Sequence, residues 1–334
     1  AGGSGTRFWP VSREQSPKQL QKFVGSGTMI QNTVQRLLRL VPIEKIYVST
    51  HHQQALETLR QLDSLEFSSD HLLAEPCSRN TAVAIGLMAK MIADKDTDAV
   101  MTVFPADHVV ADPEKFIKVL QKAETLAQKG FLVTLGIPPT RPETGFGYLK
   151  QGAEINGFEE SYHVERFVEK PDVSTAKKYL ELGTYFWNCG VFVWKATTLL
   201  EELQKHAKNI HSQLETLTGC LQSSKGKLAH LEMNKKGGEV FSSLPSLSID
   251  YAVMEKSSKV VLVPANIGWS DVGAWNALDD VCEKDSAGNI LTGNVLARDC
   301  NNSIVHGNNR LVAILGLNDT VVVDTQDALL VCAK

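Results

Sequence analysis

Three glycines stand among the first five residues of Ala1-Gly2-Gly3-Ser4-Gly5-Thr6-Arg7. Without Cβ atoms, backbone amides can crowd around phosphate oxygens. Arg7 adds a planar cationic fork. Arg13 and Lys18 add two more positive charges within the same short segment. A plain turn is the alternative for the glycines alone, and the three cations argue against it. The segment is not a Walker A loop, because GxxxxGK[ST] is absent, and GxGxxG does not fit either. The chemistry suggested is binding of a phosphate chain outside both common motifs.

Two acids follow at a distance. Phe104-Pro105-Ala106-Asp107-His108 comes directly after an apolar run. An acid at the carboxyl end of a central strand sits where open α/β sheets bind ligands. A carboxylate there suits Mg²⁺, a hard cation; capping of its own loop is the competing role for Asp107. His108 is as readily a structural hydrogen-bonding group as a base. Trp269-Ser270-Asp271-Val272-Gly273 offers a second metal-binding acid, Asp271, with N-capping of the following helix as its competing role.

Phe167-Val168-Glu169-Lys170-Pro171 ends a strand in an acid and a base. A solvated ion pair is the usual fate of such neighbours. The functional reading puts Lys170 on a substrate phosphate and Glu169 on substrate hydroxyls. Gly147 and Asn188 lie in two further segments, Gly145-Phe146-Gly147-Tyr148 and Asn188-Cys189-Gly190. They would let a sugar approach and hydrogen-bond it, although Asn188 alone also suits a turn. His51-His52 has no partner at ligand spacing and reads as a surface pair. The tryptophans read as packing residues.

These residues need a scaffold. Strand patterns at 46–49, 71–74, 99–104 and 131–135 alternate with helical patterns at 53–62, 81–93 and 113–128. The run AVMTVF at 99–104 reads as a strand of a buried parallel sheet. Such alternation predicts a doubly wound α/β layer. From 138 to 194 strands and turns dominate, with one helix near 174–182. The stretch 197–231 reads as helical and charged, 250–256 as a short helix, 259–263 as a strand, and Gly273 as a helix start. After Asp285, short β-runs are separated by Gly, Asn and Asp, as in the coils of a β-solenoid or a small β-meander. We therefore expect a catalytic domain at 1–284 and a short β-domain at 285–334. A phosphate loop in such a sheet normally follows a first strand, and here it opens the chain. Residues upstream of Ala1, and a continuation after Lys334, are therefore expected in the natural protein.

The 334 residues suffice for one large domain and a small one. A net charge of −4 argues against a nucleic-acid partner. The six cysteines form no CxxC pair and read as free thiols in a reducing cytosol. No apolar run approaches the ~18 residues of a membrane span.

Eight blocks, taken in order, carry a resemblance. They are GGSGTRFWPVSREQSPKQ, EPCSRNTAVAI, FPADH, RPETGFGY, FVEKP, WNCGVFVW, SIDYAVMEKS and GWSDVGAW. Together they resemble the sugar-nucleotide pyrophosphorylases, and within them the mannose-1-phosphate guanylyltransferase branch. The W-P-x-S-R variant and the R-N-T block favour that branch over the uridylyl, cytidylyl and thymidylyl branches. The resemblance implies a Rossmann-like mixed-sheet nucleotidyltransferase domain with a small left-handed β-helix-like domain after it. It implies that Gly2, Gly3, Gly5, Thr6 and Arg7 cradle the triphosphate, with Lys18 stabilising its charge. Arg79, Asn80 and Thr81 fall near the base, and Asp107 and Asp271 match the metal-binding acids. Gly147, Glu169, Lys170 and Asn188 match the sugar-phosphate contacts. Val83 departs from the proline common at its position. Some relatives carry a further isomerase domain. The implied reaction is Mg²⁺-assisted transfer of GMP from GTP to mannose 1-phosphate by a cytoplasmic homodimer, with no nucleic-acid or membrane partner. Two other readings remain. One is a different base or hexose 1-phosphate. The other is a non-catalytic sugar-nucleotide sensor, against which the retained Arg7, Lys18, Asp107, Lys170 and Asp271 argue.

Overall fold

Residues 1–3, 6–226 and 228–334 are described in this computed structural model, Thr6 through its backbone alone. The strands up to residue 170 are β1 (Val48–His51), β2 (Leu72–Glu75), β3 (Val100–Val103), β4 (Val109–Val110), β5 (Leu132–Ile137), β6 (Gly147–Ile155) and β7 (Phe158–Glu169). β8 (Tyr185–Lys195), β9 (Leu221–Ser223), β10 (Leu231–Met233), β11 (Val260–Pro264) and β12 (Trp269–Ser270) follow. The last six are β13 (Ile290–Thr292), β14 (Val295–Arg298), β15 (Ile304–His306), β16 (Val312–Leu315), β17 (Thr320–Asp324) and β18 (Leu329–Ala333).

A six-stranded mixed sheet, ordered β3-β8-β5-β11-β7-β6, forms the centre. β5 and β11 pair in parallel. β5 is buried along its whole length, which accounts for its nearly unbroken apolar sequence LVTLGI. Alternate residues feed two cores. Leu132, Phe192, Trp194 and Leu262 pack with the helices Asn80–Ala93, Ala196–His206 and Lys208–Thr218. Val133, Leu135, Val191 and Val193 pack with the helices Pro113–Gln128 and Val173–Leu182.

Three expectations change. The 99–104 run forms β3, but it pairs antiparallel with β8 and ends the strand order, half-buried throughout. An apolar run reports burial and leaves strand direction open. The stretch 197–231 is helical only to Thr218. Its remainder gives β9 and β10, which extend the parallel β1–β2 pair into a second sheet, β1-β2-β10-β9. Sheet pairing overrides local helix propensity there. The segment after Gly273 is a 3₁₀-helix, Trp275–Asp280, and Asp250–Met254 is a π-helical turn.

The C-terminal strands stack as coils. β13, β15 and β17 pair in parallel, as do β14 and β16, and β18 closes the stack antiparallel to β17. This parallel stacking is that of a β-helix-like domain, with a meander only at its last turn. Ile290, Ile304, Val321 and Val323 from the coils join Phe8, Val272 and Trp275 in one core. One terminal nitrogen of Arg13 donates to both Asp327 carboxylate oxygens, at 2.9 and 3.0 Å, and adds a polar tie. Arg13 therefore fastens the coils and does not serve the phosphate loop. Among the described residues no helix is long and apolar enough to cross a membrane.

Gly136 in β5 shows how tight the sheet is. A Cβ there would stand 2.1 Å from Leu262 Cδ1 and 2.8 Å from Phe186 Cβ. Overpacking at such a point costs about 1–3 kcal/mol. Gly136→Ala is expected to lower the melting temperature measurably, and an unchanged Tm would show that the β5–β8 irregularity absorbs the methyl group.

Candidate active site

The amino-terminal loop is anchored at both ends. Phe8 is fully buried, with its ring 4.3 Å from Phe23 and 5.0 Å from Trp275. At the other end the Ala1 nitrogen donates to Ser49 O of β1 at 2.8 Å. Between them Gln19, buried, donates through Nε2 to Ala1 O, to Gly3 O at 3.1 Å and to Gln54 Oε1 at 3.0 Å. Gln19 thus ties the loop carbonyls down on one side. Gly2 packs against β1, its Cβ position 3.5 Å from His51 N, while Gly3 has open space around it. Gly5 lies outside the described residues, and Thr6 is described only as the start of the 3₁₀ turn Thr6–Phe8.

Lys18 joins the loop to both predicted acids. Its Nζ donates to Asp107 Oδ2 at 2.9 Å and to the backbone oxygen of Asp271. Lys18 is only 4% exposed, so its ammonium depends on these partners. Burial would push the Asp107 carboxyl up, but neighbouring His108 and Lys18 hold it below its ordinary value. His108 is itself lowered by burial, so near neutral pH the charge that acts on Asp107 is that of Lys18. Neither acid caps a turn or helix as the alternatives required. The Asp107 carboxylate faces Lys18, and the 3₁₀-helix after Asp271 has Ala274 at its N-cap.

The two acid-bearing loops share one small ribbon. β4 follows Asp107 and β12 precedes Asp271, and they pair antiparallel, Val110 opposite Trp269 and Val109 opposite Ser270. Trp269 Nε1 donates to His108 Nδ1 at 3.1 Å, which leaves the His108 proton on Nε2, 4.0 Å from Asp107 Oδ1. Arg36 donates to His108 O at 3.1 Å and Thr33 Oγ1 to Ala106 O at 3.2 Å, bracing the same loop from the helix Met29–Leu37. Val272, next to Asp271, is fully buried with φ 44°, a strained backbone for a β-branched residue. A Cβ on Gly273 would lie 2.8 Å from Asp271 Oδ2 and 3.3 Å from an Arg7 terminal nitrogen. Arg7, Asp271 and Gly273 therefore meet at one point. Beside it a cleft of about 350 Å³ opens, with Arg141, Phe146, Trp187, Trp269 and Asp271 among its walls.

A second group forms on the central sheet. Gly147 sits opposite Glu169 in β7 and opposite Asn188 in β8. A Cβ on Gly147 would fall 2.4 Å from Glu169 Oε2, so any side chain there would displace the Glu169 carboxylate from its present position. Lys170 Nζ donates to Glu169 Oε1 at 2.8 Å from an exposed position, with φ 48° at Lys170. Asn188 Oδ1 accepts from Thr134 Oγ1 at 3.0 Å and Gly190 N at 3.2 Å, and its Nδ2 donates to Asp250 Oδ1 at 2.9 Å. The Arg-Asn-Thr block belongs to this side as built. Arg79 Nε donates to Ser242 O at 3.1 Å, Asn80 Oδ1 accepts from Thr81 N at 2.9 Å, and Thr81 Oγ1 accepts from Ile249 N at 2.8 Å.

Sequence reasoning passed over three residues. Gln19 was seen only as a neighbour of Lys18. Glu75 ends β2 in a buried carboxylate, 3.9 Å from the Cβ position of Gly2, and accepts from Ser49 Oγ at 2.8 Å. Burial raises its carboxyl above the ordinary value. An acid closing an apolar strand was the available signal. Asp250 was read as part of a short helix, and only the π-turn turns it toward Asn188.

Burial first, and Glu169 second, push the Asp250 carboxyl up to about 6 from 3.8. The folded chain therefore holds this proton more tightly than the unfolded chain. Stability falls as pH rises from about 4 to about 6, and the deficit persists above that. Asp250→Asn is expected to raise stability by about 3 kcal/mol at pH 7.5 and by much less near pH 4. Thermal melts across that range check it; a gain of equal size at both ends would contradict it.

Residues 1–288 match the nucleotidyl transferase family, and residues 293–334 match the mannoseP isomerase/GMP-like beta-helix domain. The mannose-1-phosphate guanylyltransferase RfbM of Salmonella typhimurium is 39% identical over 338 residues, covering 100% of this chain and 68% of RfbM. The alginate biosynthesis protein AlgA of Pseudomonas syringae pv. tomato is 39% identical over 334 residues, with the same two coverages of 100% and 68%. A solved structure described as a mannose-1-phosphate geranyltransferase from Thermus thermophilus superposes with a TM-score of 0.86 at 35% identity, covering 99% of this chain and 92% of that one. Sequence, fold and the Lys18-centred cluster agree, and the chain belongs to the nucleotidyl transferase family.

Proposed function

We propose that this chain transfers GMP from GTP to α-D-mannose 1-phosphate, giving GDP-mannose and pyrophosphate. The observation that carries the chemistry is the convergence of Lys18, Asp107 and the Asp271 loop beside the glycine-rich segment. The likeness to RfbM supports the substrates.

An oxygen of the sugar phosphate attacks the α-phosphorus in line, and the bond to pyrophosphate breaks. No protein nucleophile is needed. The obstacle is repulsion, since a sugar phosphate brings roughly two negative charges toward a triphosphate. At ~4 Å and an effective dielectric near 20, one such pair costs about 4 kcal/mol. Gly2, Gly3, Gly5 and Thr6 present the loop to the triphosphate, and Arg7 and Lys18 neutralise it. Lys170 takes the sugar phosphate, and Glu169 and Asn188 take its hydroxyls. Among the described residues no three His, Cys, Asp or Glu side chains are grouped to hold a metal ion. Two carboxylates completed by substrate phosphates are nonetheless the usual donor set for Mg²⁺, and Asp107 with Asp271 fits it. Mg²⁺ bound there supplies further neutralisation of the reacting phosphates.

Glu75 suits the choice of base. Guanine alone among the common bases presents two adjacent donors, N1–H and the 2-amino group, on its pairing edge. A buried carboxylate beside Gly2 is the complementary acceptor. Arg79, Asn80 and Thr81 open the helix that follows β2, five residues beyond Glu75 in the chain, and are the further candidates for the base even though their own bonds run to Ser242 and Ile249. A homodimer is best accommodated on the C-terminal coils, where Leu311, Leu315, Leu329 and Val331 are exposed. The six free cysteines agree with a reducing, cytoplasmic setting.

Pyrophosphate release with GTP, mannose 1-phosphate and Mg²⁺ tests the reading directly, with UTP, CTP and dTTP as competitors. Lys18→Ala and Asp107→Ala are each expected to lower kcat about 10²-fold or more; turnover close to the parent's in either would remove that residue from the mechanism. Glu75→Gln is expected to lower kcat/KM for GTP by about 10-fold or more, with a smaller loss for inosine triphosphate, which lacks the 2-amino group. Equal losses with both nucleotides would rule out the base contact.

A further inference from the structure

Asp250 has no role in the reaction as proposed above, yet its surroundings are unusually specified. It opens the π-turn Asp250–Met254, where Glu255 N bonds back to Asp250 O at 2.9 Å. Such turns are rare and concentrate at functional sites. The turn is fastened to the helix Asn80–Ala93 by Thr81 Oγ1, which accepts from Ile249 N at 2.8 Å, and by Ala82 N, which donates to Leu247 O at 3.0 Å. Asn188 is fixed from the other side. Its oxygen already accepts from Thr134 Oγ1 and Gly190 N, and turning the amide over would forfeit the bond from Gly190 N and set an oxygen against the Asp250 carboxyl. Its Nδ2 must then point at Asp250 Oδ1.

The charges around Asp250 are poorly balanced for a structural cluster. Gly147 lies opposite both Glu169 and Asn188, which places Glu169 one strand from the Asn188–Asp250 pair, where it works against the ionisation of Asp250. Glu255 lies on its own turn and is raised by burial and then by Glu169 and Asp250. Lys170, whose neighbours include both Glu169 and Asp250, is the cation of the group. Lys170 is engaged by Glu169, and its side chain is 61% exposed while that of Glu169 is 12% exposed. Two largely buried carboxylates therefore face one another with their single cation directed toward solvent. Packing alone gives no reason to keep such a pair. A neutral ligand that donates two hydrogen bonds relieves it, and vicinal hydroxyls of a sugar ring are donors of that kind.

We infer that Asp250 is a specificity-determining residue of the sugar subsite: with Glu169 it forms an acceptor pair for two ring hydroxyls of the hexose 1-phosphate, while its other contact holds the Asn188 amide in register. This rests on the assignment of Gly147, Glu169, Lys170 and Asn188 to the sugar phosphate. Gly147 carries no side chain, which leaves room beside Glu169 Oε2, 2.4 Å from where its Cβ would stand.

The test is steady-state kinetics of the parent and of Asp250→Asn with GTP, using mannose 1-phosphate and its four singly deoxygenated analogues at positions 2, 3, 4 and 6. Asn keeps the shape and one acceptor, and a thermal melt confirms folding. The variant is expected to raise KM for mannose 1-phosphate by about 10- to 100-fold, the range of one lost charged hydrogen bond. KM for GTP stays within about two-fold. With the one analogue that lacks the contacted hydroxyl, parent and variant converge on the same kcat/KM. An equal loss with all five sugars marks a merely structural residue and overturns the inference, as does no loss with any. Lys170→Ala is run in parallel. If it raises the sugar-phosphate KM while Asp250→Asn does not, only the role of Asp250 fails. If neither moves it, the sugar subsite itself has been misassigned.

Discussion

A single buried ammonium organises this molecule. Lys18 is nearly excluded from solvent, and it ties the Asp107 side chain to the backbone of Asp271. A charge in that position is stable only while its partners stay in place. Three distant segments are thereby obliged to meet: the one following the phosphate loop, the end of β3 and the loop after β12. The ion pair also favours the ionised form of Asp107. Substrate phosphates would approach a cluster whose positive and negative groups are already interlocked.

The supports of that cluster are unusually redundant. The β4–β12 ribbon and the Trp269–His108 bond connect the two acid loops directly. Arg36 and Thr33 hold the first loop from a helix. The C-terminal coils share a core with Phe8, Val272 and Trp275, so they buttress the phosphate loop and the Asp271 turn together. Left-handed backbone occurs in both groups of the candidate site. Asn80, Lys170 and Val272 all have positive φ without being glycine. Such backbone persists only where the surrounding structure over-determines it, as at preorganised sites.

The group around Asn188 follows a different logic. Here the chain retains acids that repel one another, Glu169, Asp250 and Glu255, around an amide locked by Thr134, Gly190 and Asp250. This arrangement costs folding stability at neutral pH and is tolerable because the central sheet beneath it is well packed. The Lys18 cluster satisfies its charges internally, whereas the group around Asn188 leaves acceptors in want of donors.

Much of this was legible in the sequence, because composition and local spacing act over short range. The glycine-rich loop with Arg7, the acid after an apolar run at Asp107, and the Glu169–Lys170 pair before proline all announce their chemistry. The helices at 81–93 and 113–128 follow from periodicity and caps. The blocks in order disclose the family. Strand direction was not legible, since an apolar run such as 100–103 suits a parallel or an antiparallel neighbour equally. Nor was the fate of 221–233, where pairing with β2 outweighs local helix preference. Arg13 looked like a phosphate ligand and became a tie to Asp327. Glu75 and Asp250 gave no local sign of their neighbours. The sequence by itself determined which chemical groups this protein carries and the family they belong to. Only the tertiary structure decided which of them meet, because Lys18 with Asp107 and Asn188 with Asp250 are contacts across 89 and 62 residues, selected by burial and partner geometry rather than by anything local.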